Sequence, residues 1–294
     1  MLSFYVLNLL IPGDPDEVTI NTPAGSWKLI KMPEFAGAKA KITTSSARPR
    51  ELPVGATYFL ENPVSMLNGA AAVNSAFAEV TPVLLAASYA TGLSVTIENS
   101  TKGSGIQIVS PTDHWPRVRA MGPGSPVVTT TAEFVNLVEA FMRAWPAAGQ
   151  KEKAQLLVHT WLDALACWSM EDLYLSATTL LQIIVSTETR RQRVASLNFY
   201  PGLKAASRHA RIRRPSYSAK EMRDSLVHEG KLAGAWITAL RRKGSSDQDI
   251  CAGLVAEVLN WFDAYVHVAL GLGPVAKSRF STNDFVTLNA FSLS

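Results

Sequence analysis

Between Tyr217 and Trp236 the chain reads YSAKEMRDSLVHEGKLAGAW, and three of these residues carry usable chemistry. Arg223 has a planar guanidinium that can hold two phosphoryl oxygens at once, a task Lys performs poorly. His228 carries an imidazole, which can take up or deliver a proton. Asp224 lies four residues before His228, close enough on a helix for its carboxylate to hold one imidazole nitrogen. Arg223 and His228 are five residues apart, so at about 100° per residue they point roughly 140° away from each other. They can meet on one ligand only through the length of Arg223, or across an interface with a second copy of the chain.

The element that must position them is a helix of about three turns. Ser218 is placed to cap its N-terminus, with Glu221 three residues later to complete a capping box. Met222 and Leu226 fall on one apolar face, and Gly230 stands where a C-terminal cap would stop the turn. That face is narrow and does not require Arg223, Asp224 or His228. The bland alternative is a surface arginine and a satisfied histidine at the end of an ordinary helix.

The run Arg223-Asp-Ser-Leu-Val-His228-Glu-Gly resembles the signature of the HEPN superfamily: Arg, a polar residue, three more residues, then His. That superfamily comprises helical ribonucleases and nucleotide-binding domains. The neighbourhood is most similar to the ApeA-like branch, with Tyr217 slightly farther upstream than usual and Gly230 one residue later. The resemblance covers roughly residues 150 to 270 and leaves out the first 125. It implies metal-independent cleavage of RNA, with no cofactor. A ribose 2′-hydroxyl attacks the adjacent phosphate, His228 transfers a proton, and Arg223 holds the phosphoryl oxygens. Asp224 stands where the family often has Asn, and it either orients His228 or repels the phosphate. Such domains commonly pair, so the resemblance also implies a homodimer in which two motifs face one cleft. Family members often act in defence against phage or in toxin systems, which would make the N-terminal domain the binder of an unknown trigger. Other members bind nucleotides or partners without cutting, and a non-catalytic binding or scaffold module is the alternative.

The charge pattern bears on the partner. Net charge is +4, but fourteen Lys or Arg stand against three acidic residues between Thr189 and Lys243, half of all 28 cations. Such a field attracts phosphates. Within it, Arg208, His209, Arg211, Arg213 and Arg214 form a strip that, with Lys220, would contact RNA through its backbone without reading sequence.

The whole chain has 294 residues, 47% of them hydrophobic and 18% charged, enough to bury a large core and unlike a disordered chain. The fold class expected is α+β: a β-rich N-terminal domain over residues 1–125, a helical HEPN-like bundle over 126–275 and a tail over 276–294. LSFYVLNLLI, SWKLIKM (26–32) and AKAKITT (38–44) read as strands. FAEVTPVLLAASYATG reads as a helix with Pro82 in its first turn and Gly92 at its end. SVTIENS (94–100) and GIQIVS (105–110) read as a hairpin. Residues 121–126, Met-Gly-Pro-Gly-Ser-Pro, punctuate the boundary. Beyond it, Thr131 is placed to cap a helix ended by Pro146. KEKAQLLVHTWLDALACW (151–168) is a second helix, Ser169 and Asp172 open a third, and TETRRQR is a basic connector. FYPGLKAASRHARIRR is a fourth helix ended before Pro215, and Asp247 to Leu270 forms a long last one.

Cys167 and Cys251 are far apart and form no C-x-x-C pair, which fits a reducing cytoplasm. No apolar run makes a membrane span; residues 80–97 come nearest. His159 with Asp163, and Asp263 with His267, share an i, i+4 spacing, yet neither makes H-E-x-x-H, so no metal is expected. Gly271 to Ser278 nearly spells a phosphate-binding loop, but it follows a helix and reads as a turn. Trp145, Trp161, Trp168, Trp236 and Trp261 recur at helical spacing and read as core.

Overall fold

A computed structural model describes residues 2–44, 56–62, 70–93, 95–102, 107–109, 127–165, 169–242, 244–275 and 278–282. The described residues show the α+β layout, with a sheet built early in the chain and helices after it. The strands are β1 (Leu2–Leu7), β2 (Glu17–Thr22), β3 (Gly25–Lys31), β4 (Ala56–Asn62), β5 (Thr96–Lys102) and β6 (Gln107–Val109). They pair antiparallel throughout in the order β2-β3-β4-β1-β5-β6. Strand alternation sets the core face: Val18 and Ile20, Trp27 and Leu29, Phe4 and Val6 are all buried. β1, β3 and the β5–β6 pairing agree with the sequence reading. β2 and β4 were not foreseen.

AKAKITT is not a strand. It lies in helix α1 (Phe35–Thr44), because Phe35, Ala38 and Ile42 are buried at helical spacing and Ala and Lys are strong helix formers. Helix α2 (Ala70–Thr91) begins well before the expected start, so Pro82 sits in its interior instead of its first turn. There it forgoes one backbone bond while the helix continues on both sides. Gly92, at φ 69°, does end it.

Helix α3 (Thr131–Lys151) is capped by Thr130, not Thr131. Thr130 Oγ1 accepts from the Glu133 N–H at 3.2 Å, and Glu133 accepts in return from the Thr130 N–H. The Thr131 hydroxyl instead donates to the Pro12 carbonyl at 2.6 Å, and Glu139 accepts from the Asn21 N–H at 2.9 Å. Pro146 lies inside α3 and does not end it.

These bonds tie α3 to the sheet, and the compact units follow them: residues 1–120 with 126–147 form one, and 121–125 with 148–294 the other. The expected boundary at 121–126 would place all of α3 in the helical half, whereas most of α3 belongs with the sheet. The linker at 121–126, the hairpin tip at 103–106, Cys167 and Trp168, and the tail from 283 onward lie outside the described residues.

The second unit contains α4 (Ala154–Leu165), α5 (Met170–Arg191), α6 (Phe199–Ala210), α7 (Tyr217–Glu229), α8 (Ala235–Leu240) and α9 (Asp247–Ala269). Ser169 caps α5 by accepting from the Asp172 N–H, as its sequence signals. The residues TETRR belong to the end of α5 and not to a connector. Helix α9 opens on a Ser246–Asp249 capping box and packs against α4, α5, α6, α7 and α8. Leu254, Val255, Val258, Leu259, Trp261 and Phe262 along it are buried. Trp161, Trp236 and Trp261 are core residues, as expected, while Trp145 is half-buried and stacks on Phe141.

Helix α6 ends at Ala210, earlier than expected, because Arg211 turns left-handed at φ 57° and lets the Ile212 N–H bond back to the Ser207 carbonyl. Gly202 of α6 lies against α5, where an added Cβ would come within 2.6 Å of both methyls of Val185. Val185 is stiff at χ1 in a helix and cannot swing aside. Gly202→Ala gains roughly 1 kcal/mol of helix propensity but incurs about 1–3 kcal/mol of overpacking. We expect a net loss of stability, read as a lower urea midpoint at unchanged slope.

Candidate functional site

Helix α7 carries the three residues that opened the sequence reading. Its N-cap is Ser216 and not Ser218, which lies inside the first turn, so no Ser218–Glu221 capping box forms. Ser216 makes no local cap. Its N–H donates to Glu257 Oε1 at 2.7 Å, and its hydroxyl donates to Glu257 Oε2 at 2.9 Å. A carboxylate from α9 thus does what a local side chain usually does at a helix N-terminus. The buried Tyr174 hydroxyl of α5 donates to the Ala219 carbonyl at 2.5 Å. Burial, aided by the charge of Glu257, pushes the Tyr174 phenol far above its usual range and keeps it a donor. Met222 and Leu226 are buried, as their spacing implied, together with Ala219 and Ser225. Gly230 ends the helix at φ 69°, with its N–H on the Leu226 carbonyl.

With that stripe turned inward, Arg223 and Asp224 are half-buried and His228 is exposed in the last turn. Arg223 lies over Phe199 of α6, its guanidinium carbon 4.8 Å from the ring centre. Its Nη1 donates to Asp224 Oδ1 at 3.0 Å, and its Nε is buried without a hydrogen-bond partner. Lys220 donates to Asp224 Oδ2 at 2.5 Å. Burial alone would raise the Asp224 carboxyl, but the bonds and charges of Lys220 and Arg223 hold it below the usual range. The same bond to Asp224 raises Lys220.

Of the two roles left open for Asp224, orienting His228 finds no support, because its bonds go to Lys220 and Arg223. Two cations nearer to it take both of its oxygens, and His228 keeps its ring uncommitted among the described residues. Arg223 and His228 are on one helix, but no shared contact brings them together.

The basic field is partly neutralised. Arg191 is bonded by Glu152 at 2.5 Å and by buried Glu188, and Arg241 pairs with Asp247. Arg208, Arg211, Arg213 and Arg214 are exposed and form no ion pair among the described residues. His209 is exposed beside them. Burial of part of its ring, with the charge of Arg191, lowers its pKa, which weakens what it adds to the charge of the strip.

Aromatic rings interleave with these cations. Tyr200 and Tyr217 meet edge-on at 5.2 Å, Arg214 lies 5.7 Å over Tyr200, and Lys220 lies 5.5 Å over Tyr217. The sequence reading did not single out Phe199, Tyr200 or Glu257. The Phe199-Tyr200 pair within the basic run was the available signal for the first two. Glu257 had none, being 41 residues from the helix it caps.

The i, i+4 Asp–His pairs serve structure where their contacts are plain. Asp263 is buried and held by Arg279, and His267 Nδ1 lies 2.9 Å from the Gly273 carbonyl. Among the described residues, no group of three His, Cys, Asp or Glu is placed to hold a metal ion, and no helix is long and apolar enough to cross a membrane. No protein-family model, curated protein or solved structure matches the chain.

Hydrogen bonds to a charged group contribute about 1.5–3 kcal/mol. Glu257→Ala leaves the Ser216 N–H without its acceptor, and we expect stability to fall by about that much. Amide exchange should locate the loss in the first turn of α7, with the α4–α5 pair unaffected.

Proposed function

We propose that the helical unit is a metal-independent endoribonuclease of the HEPN type, acting on RNA through Arg223 and His228. The observation that carries this reading is the state of His228: solvent-open, uncommitted, and on the same helix as an arginine beside a surface of free cations. In the reaction, the ribose 2′-oxygen forms a bond to phosphorus as the bond from phosphorus to the 5′-oxygen breaks. The products are a cyclic phosphate and a 5′-hydroxyl. His228 takes the proton from the attacking oxygen or supplies the one the leaving oxygen needs. Arg223 offsets the charge that builds on the phosphoryl oxygens.

A second copy of the chain completes the site in this proposal. The roughly 140° between Arg223 and His228 keeps one helix from aiming both at one phosphate. The exposed arginines from Arg208 to Arg214 hold the RNA backbone. A role in defence, with the sheet unit sensing a trigger, rests on analogy alone.

One observation favours a second reading, a module that binds RNA or nucleotides without cutting them. Arg223 is engaged by Asp224 and Phe199, and its Nε faces inward.

Cleavage of single-stranded RNA by the purified protein separates the two. Arg223→Ala and His228→Ala are each expected to slow cleavage by roughly 10² to 10⁴, and EDTA should leave the wild-type rate unchanged. Asp224→Asn should raise the rate if its charge opposes the phosphate. Wild type that leaves varied RNAs intact, or His228→Ala that cuts equally well, removes the nuclease reading. Binding should meanwhile weaken for all sequences alike in a variant lacking Arg211, Arg213 and Arg214, with a flatter salt slope.

A further inference from the structure

We infer that Tyr200 and Tyr217 form a base-stacking subsite for single-stranded RNA, flanked by Arg214 and Lys220. The inference rests on the RNA-directed reading above and adds what part of the RNA is recognised, namely an unpaired base. Tyr217 is the first residue of α7 and leaves 53% of its surface exposed, the most open large hydrophobic side chain among the described residues. An aromatic ring so exposed contributes little to the core, whose inward stripe on this helix is Ala219, Met222, Ser225 and Leu226.

Its surroundings hold it in place. Tyr200 of α6 meets it edge-on at 5.2 Å, and Lys220, held from behind by Asp224 at 2.5 Å, lies 5.5 Å over its ring. Arg214 lies 5.7 Å over Tyr200. Two rings are thus fixed before any ligand arrives, so little rotamer freedom is lost on binding.

The charge around the rings selects the ligand. Arg214 and its chain neighbour Arg213 are exposed with no ion pair among the described residues, while Lys220 holds its cation over the Tyr217 ring and is bonded to Asp224. Aromatic faces alternating with free cations fit a ligand that alternates flat bases with phosphates, and stacking tolerates any base because every base has a π face. A duplex cannot use such a platform, since its bases are already stacked on each other. Tyr217 lies six residues from Arg223, about 9 Å along the helix axis.

The test uses full-length protein and a uridine decamer carrying 2′-O-methyl groups, so that no 2′-hydroxyl can attack during the measurement. It is compared with the same backbone bearing abasic sugars and with a duplex of equal length. Wild type should bind the uridine decamer roughly tenfold more tightly than the abasic one, the scale of one or two stacked bases. Tyr217→Ala should remove that preference and leave abasic affinity unchanged. Tyr217→Phe should keep it, because the ring and not the hydroxyl is used.

Tyr200→Ala should act like Tyr217→Ala. If it fails to fold, the exposed Tyr217 decides the matter alone. Tyr217→Ala binding the uridine decamer as wild type does, or wild type showing no preference over the abasic strand, overturns the subsite. Cleavage of unmodified RNA is read separately on the same preparations. Absent cleavage with base-dependent binding intact removes the nuclease reading and leaves the subsite standing. Cleavage without base dependence does the reverse.

Discussion

The Glu257 carboxylate holds the candidate site in register. Helix α9 is the stem of the helical unit, buried along most of its length and in contact with five other helices. From its middle, Glu257 reaches the N–H and hydroxyl of Ser216 and fixes where α7 begins. Tyr174 of α5 fixes a second point at the Ala219 carbonyl, and Trp236 of α8, bonded to Ser225 at 3.4 Å, a third. Once a helix is pinned at its start and along one face, the direction of every other side chain follows from the 100° step. Ala219, Met222, Ser225 and Leu226 turn inward, and His228 must turn out.

Asp224 sets the electrostatics of that outward face. Burial would raise its carboxyl, but Lys220 and Arg223 hold it below the usual range, and it keeps both cations turned toward their own helix. The arginine is not locked there. Its buried, unpartnered Nε costs about 1–3 kcal/mol, and its contact with the Phe199 ring returns about 0.5–2 kcal/mol. With those two nearly cancelling, what keeps Arg223 in place is a part-exposed bond to one carboxylate. A phosphate can compete with that, since it offers the same guanidinium two oxygens at once.

Much of this was readable in the sequence wherever local signals decide structure. The Gly230 stop of α7, its Met222–Leu226 stripe and the Ser169 cap follow from residues within one or two turns of each other. The start of α7 does not, since Ser216 and not Ser218 begins it, held by Glu257. The failures share a cause, which is that tertiary contacts outweighed a local signal. AKAKITT alternates like a strand, but Phe35, Ala38 and Ile42 bury one helical face. Pro82 and Pro146 are helix stops by propensity, yet α2 and α3 run through them. The boundary expected at 121–126 missed the bonds from Thr131 and Glu139 that tie α3 to the sheet. At the site, the Asp224–His228 spacing was correct for a bond, but Lys220 and Arg223 competed for the same oxygens and won.

That competition bears on how Arg223 and His228 could act together under the ribonuclease reading. Arg223 extends toward Phe199 of α6 and the first turns of α7, while His228 leaves the last turn on another side. For one chain to place both on one phosphate, Arg223 must give up Asp224 and Phe199 together and swing around the helix. Each such loss is worth on the order of 1 kcal/mol, set against the relief of the buried Nε as it reaches water. With a second copy, Arg223 need exchange only Asp224 for a phosphoryl oxygen, and the histidine comes from the facing helix. The smaller rearrangement is the more economical one, so within the ribonuclease proposal the position of the acid, more than the helical angle alone, favours a site completed by two chains.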